Sequence, residues 1–177
     1  MGGSARGKRL RGPSGFKFRP TTGRVKEFIF SYLGEEVEGA RVLDLFCGTG
    51  SLGIEALSRG AKEIIFVDKS LQSLKILEKN LEDCGFTDRT RILRKDVFRL
   101  LRRMGKEGEK FNLILADPPF KDSLRGQIVR AVDENNLIKH EGFLILEHEF
   151  HDPDPREHEM KLLKQRRFGH CVVSVYG

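Results

Sequence analysis

The stretch at residues 41–53, RVLDLFCGTGSLG, joins a short apolar run to a glycine-rich loop. The run predicts a buried strand, and the loop carries the spacing GxGxxG at Gly48, Gly50 and Gly53, which is typical of a ligand-binding turn from a strand into a helix. Short apolar runs and helical patterns alternate through the rest of the chain, with predicted strands in EIIFVD (63–68), RILRKD (91–96), FNLILAD (111–117) and FLILEHEF (143–150). This alternation predicts an α/β fold with a Rossmann-like, doubly wound and mainly parallel sheet of seven strands.

Two further segments complete the predicted fold. Residues 160–165 and 170–176 predict a closing antiparallel hairpin joined by RRFG. Residues 21–33 predict a short amphipathic helix, because apolar residues recur there at helical spacing: Val25, Phe28, Ile29 and Leu33. We therefore expect a basic N-terminal arm and helix at 1–34 and a ligand-binding domain at 35–177.

The net charge of +6 is concentrated near the N terminus. Residues 1–26 carry eight basic groups and no acid, whereas the rest of the chain carries 24 basic against 26 acidic groups. A basic, glycine-rich arm on a nearly neutral domain is typical of contact with a phosphate backbone. A solvated, disordered tail is the alternative interpretation of the same composition.

Length and cysteine content limit the class of protein. A chain of 177 residues is long enough for one compact domain with its own core. No stretch resembles a signal peptide or a membrane span, and three scattered cysteines make neither a disulfide framework nor a CxxC zinc site. We therefore expect a cytoplasmic protein with reduced thiols and no membrane contact. The histidines and acids within 147–158 match no standard ligand spacing, so no metal is expected.

The glycine loop must be assigned to one of several adenosine-bearing ligands. A P-loop for ATP or GTP would require a lysine after Gly53, where Ile54 stands. A dinucleotide would place its pyrophosphate at the start of the helix, where Asp44 in the preceding strand would repel it. The same charge attracts the ammonium and sulfonium groups of S-adenosylmethionine (SAM). The loop therefore favours SAM as the cofactor, with glycines that allow close approach of its methionine part.

The cofactor hypothesis extends to residues at the ends of the next two strands. Asp68 ends the second strand, where its carboxylate can accept hydrogen bonds from both ribose hydroxyls. Asp96 follows the third strand, where it can accept from the adenine amine while Val97 contacts the ring; an N-cap of the following helix is the alternative, and both roles can hold. Cys47 is interpreted as a backbone contact, because no histidine base is paired with it in the sequence. The predicted cofactor set is Asp44, Phe46, Cys47, Gly48, Thr49, Gly50, Asp68, Lys69, Asp96 and Val97.

The fourth predicted strand runs directly into Asp117-Pro118-Pro119-Phe120. Two consecutive prolines remove two backbone donors, so the strand tip presents acceptors, namely the Asp117 carboxylate and the Pro118 carbonyl. These acceptors complement an exocyclic NH₂ group on a nucleobase, and Phe120 can stack on the base. Accepting both N–H bonds favours a pyramidal nitrogen whose lone pair faces the methyl group of SAM. We predict Asp117, Pro118 and Phe120 as catalytic residues, with Pro119 and Phe120 contacting the substrate.

Several of these motifs resemble those of known methyltransferases. DPPF resembles the [DNS]PP[YFW] signature of amino methyltransferases that act on adenine, guanine or glutamine. The closer resemblance is to the RsmD-type 16S ribosomal RNA guanine-N2 methyltransferases, which have the class I SAM-dependent methyltransferase fold. The matching motifs run in order along nearly the whole chain: GGSARGKRL, RPTTGRVKEFIFSYL, FCGTGSLGIEALSRGA, FVDKS, LADPPF and RRFGHCVVSVYG.

This resemblance implies methyl transfer from SAM to N2 of one guanine in 16S ribosomal RNA, within a partly assembled small-subunit particle. We expect a monomer or weak oligomer. Loss of the arm is expected to weaken RNA binding while leaving SAM affinity largely intact. By position, the residues that grip the RNA would be Arg6, Lys8, Arg9, Arg19, Thr22 and Arg24.

Three alternative functions stay open. An adenine-N6 methyltransferase acting on DNA or RNA would use the same acceptors, although such DNA enzymes generally need an added recognition domain. A protein-glutamine methyltransferase typically has asparagine where this chain has Asp117. A catalytically silent RNA-binding assembly factor would keep the fold without using the cofactor site.

Overall fold

A computed structural model describes residues 2–12, 23–119, 124–151 and 159–177 of the chain. Strands and helices alternate over most of these residues. The strands are β1 (Arg41–Leu45), β2 (Glu63–Asp68), β3 (Thr90–Arg94), β4 (Phe111–Ala116), β5 (Ile138–Glu149), β6 (Leu162–Phe168) and β7 (Cys171–Tyr176). The α-helices are α1 (Gly23–Leu33), α2 (Ser51–Ser58), α3 (Leu71–Cys84), α4 (Val97–Lys106) and α5 (Arg125–Glu134).

The strands form one sheet in the order β3-β2-β1-β4-β5-β7-β6. Strands β1 to β5 are parallel, and β7 is antiparallel to both β5 and β6. The chain moves outward from β1 to β3 and then returns to β4 on the other side of β1, so the strand order reverses between β1 and β4. The predicted fold class is confirmed. Doubly wound sheets bind ligands at the carboxyl ends of the strands next to such a reversal.

Two apolar layers cover the two faces of the sheet. One layer contains α1, α2 and α3, and the opposite layer contains α4 and α5. Helix α1 joins the first layer through buried Val25, Ile29, Phe30 and Leu33. The helix of the predicted segment 1–34 therefore shares its core with the sheet. Over the described ranges, no helix combines the length and the apolar character that a membrane span requires.

Helix α3 is fixed by local signals at both ends. The Ser70 side chain accepts a hydrogen bond from the Ser73 N–H at 3.2 Å, which caps the start of the helix. Gly85 follows the end in the left-handed conformation, with a φ of 74°. Buried leucines recur at helical spacing between these caps, and they turn one face of α3 to the sheet: Leu74, Leu77 and Leu81.

The C-terminal hairpin is confirmed, but its first strand is longer than predicted. Strand β6 continues through Arg166 and Arg167, which lie opposite Val173 and Val172, and the turn follows at Gly169 with a φ of 67°. RRFG, predicted to form the connection, thus lies largely within the strand. Because β6 lies at the edge of the described sheet, its charged side chains can face water while its backbone stays paired with β7.

Candidate functional site

Three carboxylates lie at the carboxyl ends of the neighbouring strands β2, β1 and β4. Asp44 lies near the end of β1, Asp68 ends β2, and Asp117 directly follows β4. The Asp117 N–H donates to the Leu45 carbonyl at 3.4 Å, which extends the pairing of β1 and β4 into the site. The strand-order reversal therefore brings together acids that are distant in the sequence.

The glycine loop, residues 46–50, turns the chain sharply from β1 into α2. Phe46, Gly48 and Gly50 have φ angles of 56°, 53° and 84°. The Gly50 N–H closes the turn onto the Cys47 carbonyl at 2.8 Å, and the Cys47 N–H donates to the Val67 carbonyl of β2 at 3.1 Å. Glycine enters the left-handed region freely, whereas phenylalanine rarely does. A strained non-glycine residue at a strand end is frequent at ligand sites, which supports the predicted role of this loop.

Asp44 is buried, with 1% of its surface exposed, and its Oδ2 accepts a hydrogen bond from the Gly53 N–H at 2.9 Å. Burial raises the pKa of the Asp44 carboxyl well above its usual range, the Gly53 bond lowers it in part, and the charges of Asp117 and Asp68 raise it further. An anionic ligand would add to this repulsion, whereas a cationic ligand would relieve it. Asp44 therefore holds the first turn of α2 through the Gly53 N–H. Its attraction for a cationic ligand stays a prediction.

Replacing Asp44 with asparagine is expected to stabilise the protein at neutral pH. Asparagine keeps an acceptor for the Gly53 N–H and removes a carboxyl group whose folded-state pKa lies above the ordinary value of 3.8. Because the folded protein holds this proton more tightly than the unfolded chain, the wild-type free energy of unfolding falls as pH rises from about 4 through the folded-state pKa. The variant lacks this loss, so its melting temperature should exceed that of the wild type at neutral pH.

Thermal unfolding between acidic and neutral pH checks this expectation. The two proteins should melt together at low pH, where the carboxyl group is protonated in both states of the wild type. A difference in melting temperature that does not grow with pH would contradict the assignment.

Asp68 connects the end of β2 to the glycine loop. Its Oδ2 accepts from the Gly48 N–H and its Oδ1 from the Ser70 N–H, each at 2.8 Å. Each carboxylate oxygen has capacity for a second hydrogen bond, and Asp68 is partly exposed. Asp68 can therefore hold the loop and still accept from a hydroxyl donor, as its predicted ribose contact requires.

Asp96 caps α4, which was the alternative interpretation of its position. Its Oδ1 accepts from the Arg99 N–H at 3.0 Å, and its Oδ2 pairs with Lys69 Nζ at 2.6 Å. The bond from Lys69, and after it the bond from Arg99, lower the pKa of the Asp96 carboxyl. Val97 is 1% exposed and packs in the layer of α4. A contact between Val97 and adenine would therefore use its backbone N–H, which as a first-turn amide has no acceptor within the helix.

Cys47 is buried in the glycine loop. Burial, and after it the charges of Asp44 and Asp68, raise the pKa of its thiol well above the usual range. A thiol that stays protonated is a weak nucleophile. The environment of Cys47 therefore suits the predicted backbone contact and not thiol chemistry.

The residues predicted to act as acceptors follow the end of β4. Asp117 is partly exposed, Pro118 is buried and Pro119 is exposed. Because neither proline has an N–H group, the backbone here offers carbonyls without donors. Phe120, the predicted stacking residue, lies outside the described residues.

The basic N-terminal segment packs on the helices that flank the glycine loop. We call residues 2–11 the docked arm. The Gly2 N–H donates to Glu55 Oε1 at 2.8 Å, and the Ala5 N–H donates to Ser58 Oγ at 2.7 Å, with both acceptors on α2. The interpretation as a disordered tail is therefore not supported for these residues.

Most of the predicted RNA-binding residues in the described ranges lie on this arm. Arg6, Lys8 and Arg9 are exposed there, and Arg24 is exposed in the first turn of α1. Lys8 Nζ donates to the Asp83 carbonyl of α3 at 2.6 Å, so this lysine also helps to dock the arm. Arg19 and Thr22 lie outside the described residues, and their role stays a prediction.

Sequence reasoning missed two buried polar residues that hold the docked arm. Glu55 of α2 and Asn80 of α3 are almost fully buried, and each accepts a backbone N–H of the arm. Glu55 could have been found, because a lone acid within the apolar helix SLGIEALS must be buried with a partner. Asn80 carried no such signal, since it stands in a helix rich in charged residues.

The cluster of histidines and acids within 147–158 is described only up to residue 151. His148 is buried, and its Nε2 lies 2.8 Å from Ser174 Oγ while its Nδ1 lies 2.8 Å from the Glu149 carbonyl. In the part of the chain that the structure describes, no group of three or more histidines, cysteines or acids is arranged to hold a metal ion.

The order of motifs and the geometry of the strand ends agree with a match to a known family. The family model for conserved hypothetical protein 95, which is the RsmD family, matches residues 1–177. The chain belongs to the RsmD family. The resemblance found in the sequence is thereby confirmed.

Relatives of this RsmD family member support the same placement. Ribosomal RNA small subunit methyltransferase D of Haemophilus influenzae is 31% identical over 178 residues, which cover 99% of this chain and 91% of the relative. The Escherichia coli protein YhhF, described as a methyltransferase candidate, has a TM-score of 0.86 at 28% identity over 99% of this chain and 94% of its own. SMU.776, a further methyltransferase candidate solved in complex with SAH, has a TM-score of 0.68 at 15% identity over 82% of this chain and 48% of its own, and shows the fold alone.

Proposed function

We propose that this protein transfers a methyl group from SAM to the exocyclic N2 amine of a guanine in 16S ribosomal RNA. The observation that carries the proposal is the acceptor tip Asp117-Pro118-Pro119, which lies beside the glycine loop where the strand order reverses. Membership of the RsmD family, and a relative named as a small-subunit ribosomal RNA methyltransferase, support this substrate.

The charges at the site fit SAM better than a dinucleotide. The three acids Asp44, Asp68 and Asp117 are close enough for the last two to raise the pKa of the first. A pyrophosphate would increase that repulsion, whereas an ammonium and a sulfonium group would reduce it. Asp68 would accept from the ribose hydroxyls, and the bend of the glycine loop would let the methionine part approach the backbone.

Within this proposal the protein acts by orienting the target amine. SAM supplies, when bound, a methyl group made electrophilic by its attachment to a positively charged sulfur. The Asp117 carboxylate and the Pro118 carbonyl accept the two N–H bonds of the amine, which pyramidalises the nitrogen and aims its lone pair. An amine that has gained a methyl group is acidic and loses its proton to water, so no strong general base is needed.

Access to a guanine within folded RNA requires that the base leave its stack. Unstacking costs a few kcal/mol, and the cost is least in loops and bulges. Contacts between phosphates and the exposed Arg6, Lys8, Arg9 and Arg24 would offset this cost. Stacking of the base on Phe120 belongs to the same proposal, although that residue lies outside the described ranges.

Methyl incorporation into small ribosomal subunits tests the function directly. The full-length protein would be incubated with methyl-labelled SAM and either undermethylated 30S subunits or a naked 16S transcript, and the modified nucleotide would be identified by mass spectrometry. We expect one N2-methylguanine, formed preferentially in the ribosomal particle and not in the naked transcript. The Asp117→Ala protein serves as the matched inactive control.

Other outcomes of this assay, or of titrations that measure RNA and cofactor binding by the same protein, would replace the proposal. N6-methyladenine would identify the adenine-directed alternative. RNA binding without label transfer to either substrate would favour a silent assembly factor, and failure to bind S-adenosylhomocysteine would remove the cofactor assignment itself.

A further inference from the structure

Asn80 joins the docked arm to the glycine loop from inside α3. Its side chain is 1% exposed and makes three hydrogen bonds. Its Oδ1 accepts from the Arg11 N–H at 2.8 Å, while its Nδ2 donates to the Arg11 carbonyl at 3.1 Å and to the Thr49 carbonyl at 3.0 Å. A carboxamide supplies one acceptor and two donors, so all three contacts use what this side chain offers. One buried residue thus holds two separate backbone segments.

The contact with Thr49 bears on the shape of the glycine loop. Because a peptide unit is planar and trans, a Thr49 carbonyl that points to α3 makes the Gly50 N–H point the opposite way. That N–H closes the turn onto the Cys47 carbonyl at 2.8 Å. Asn80 therefore helps to fix the peptide at the centre of the predicted cofactor loop.

The arm that carries Arg11 is also held against α2 at its opposite end. Gly3, near the other end of the arm, has a φ of 62°, and a Cβ atom placed there would lie 1.8 Å from the Ser58 carbonyl oxygen of α2. Only glycine allows this approach. Arg11 also pairs through its Nε with Asp83 at 2.9 Å on the exposed face of α3.

We propose that Asn80 is a positioning residue that couples RNA binding at the docked arm to cofactor binding at the glycine loop. This inference rests on the proposed function, in which the arm contacts RNA and the loop contacts SAM. An arm held down by RNA keeps Arg11 on Asn80, and Asn80 in turn keeps the Thr49 peptide in the orientation that the loop requires. Each ligand favours the same arrangement, so each should strengthen binding of the other.

Thermodynamic linkage makes this coupling reciprocal and measurable. If RNA raises the affinity for the cofactor by some factor, the cofactor raises the affinity for RNA by the same factor. We expect a factor of about 5 or more, the lower end of the usual range for coupled sites. The contacts of Asn80 also change the expectation drawn from the sequence, because an undocked arm should weaken cofactor binding as well as RNA binding.

Calorimetric titration of the full-length protein with S-adenosylhomocysteine, with and without saturating 16S transcript, measures the factor. Two variants break the link at different points. Asn80→Leu keeps the number and branching of the side-chain heavy atoms but removes all three hydrogen bonds, and Gly3→Ala displaces the arm while leaving Asn80 intact. Gly12→Ala is the matched control for the second variant, because a Cβ there meets no atom within 4 Å.

The ratio of the two dissociation constants distinguishes coupling from a merely structural role. We expect a ratio of about 5 or more in the wild type and in Gly12→Ala, and a ratio near one in Asn80→Leu and Gly3→Ala. Loss of stability in Asn80→Leu with an unchanged ratio would overturn the inference, and Gly3→Ala supplies the same test if Asn80→Leu does not fold. A wild-type protein that binds both ligands with a ratio near one would refute this inference alone, whereas one that binds neither would refute the proposed function as well.

Discussion

Asp117→Ala is expected to lower kcat by about 10²–10³-fold while changing the affinity for S-adenosylhomocysteine only a few-fold. The loss corresponds to removal of one preorganised group that orients the reacting amine. Alanine leaves the backbone of the tip in place, since the Asp117 N–H to Leu45 carbonyl contact does not involve the side chain. Single-turnover rates and calorimetric titration measure the two quantities separately.

Two further variants serve as the contrasting case and the control for Asp117→Ala. Asp68→Ala should show the reverse pattern, with a large loss of cofactor affinity and a smaller effect on the rate at saturating SAM, because Asp68 holds Gly48 and faces the predicted ribose position. Asp88→Ala removes an exposed carboxylate next to the amino end of β3, at the opposite edge of the sheet, and should change neither quantity. Equal losses of rate and affinity in Asp117→Ala and Asp68→Ala would contradict the separate roles.

Gly53→Ala should both destabilise the protein and impair the cofactor site. A Cβ atom at this position would lie 2.3 Å from Phe66 Cε1 and 2.7 Å from Asp44 Oδ2, and both neighbours are buried. Overpacking of a closed core typically costs about 1–3 kcal/mol, so the melting temperature should fall by roughly 2–12 °C. Displacement of the Asp44 carboxylate should also weaken cofactor binding by about tenfold, which equals about 1.4 kcal/mol.

Gly23→Ala provides the matched control for this substitution. Gly23 begins α1, and a Cβ there meets no atom within 4 Å, so alanine should be neutral or stabilising by up to about 1 kcal/mol. Thermal unfolding of the two variants side by side separates a clash from a general effect of replacing glycine. A Gly53→Ala protein that melts with the wild type would show that the space between α2 and β2 can expand.

The arrangement of the sheet could be predicted because each buried parallel strand is a short apolar run between helical patterns. The positions of Asp44, Asp68 and Asp117 followed from the same reasoning, since an acid at the end of such a run must lie at the carboxyl edge. The register that makes these acids neighbours comes from strand pairing, which no local pattern contains. The raised pKa of Asp44 could not be predicted either, because it depends on burial beneath the glycine loop.

The docked arm marks the limit of sequence reasoning for this chain. Its composition is compatible with both a solvated tail and an RNA-binding segment, because charge and glycine content say nothing about tertiary contacts. Gly3 and Asn80 contact residues that are distant in the sequence. Gly3 packs against Ser58, and Asn80 binds the backbone of Arg11. The same limit explains β6, whose Arg166 and Arg167 favour solvent locally but are held in a strand by pairing with β7.

The position of β7 between β5 and β6 also sets the order in which the nascent chain can assemble. Among the described strands, β6 pairs only with β7, which is synthesised after it. Until β7 has left the ribosome and inserted beside β5, β6 has no place in the sheet, and a waiting strand is open to pairing with other chains. Cationic side chains at Lys164, Arg166 and Arg167 make such pairing unfavourable through mutual repulsion between copies, so β6 is protected from aggregation before β7 pairs with it.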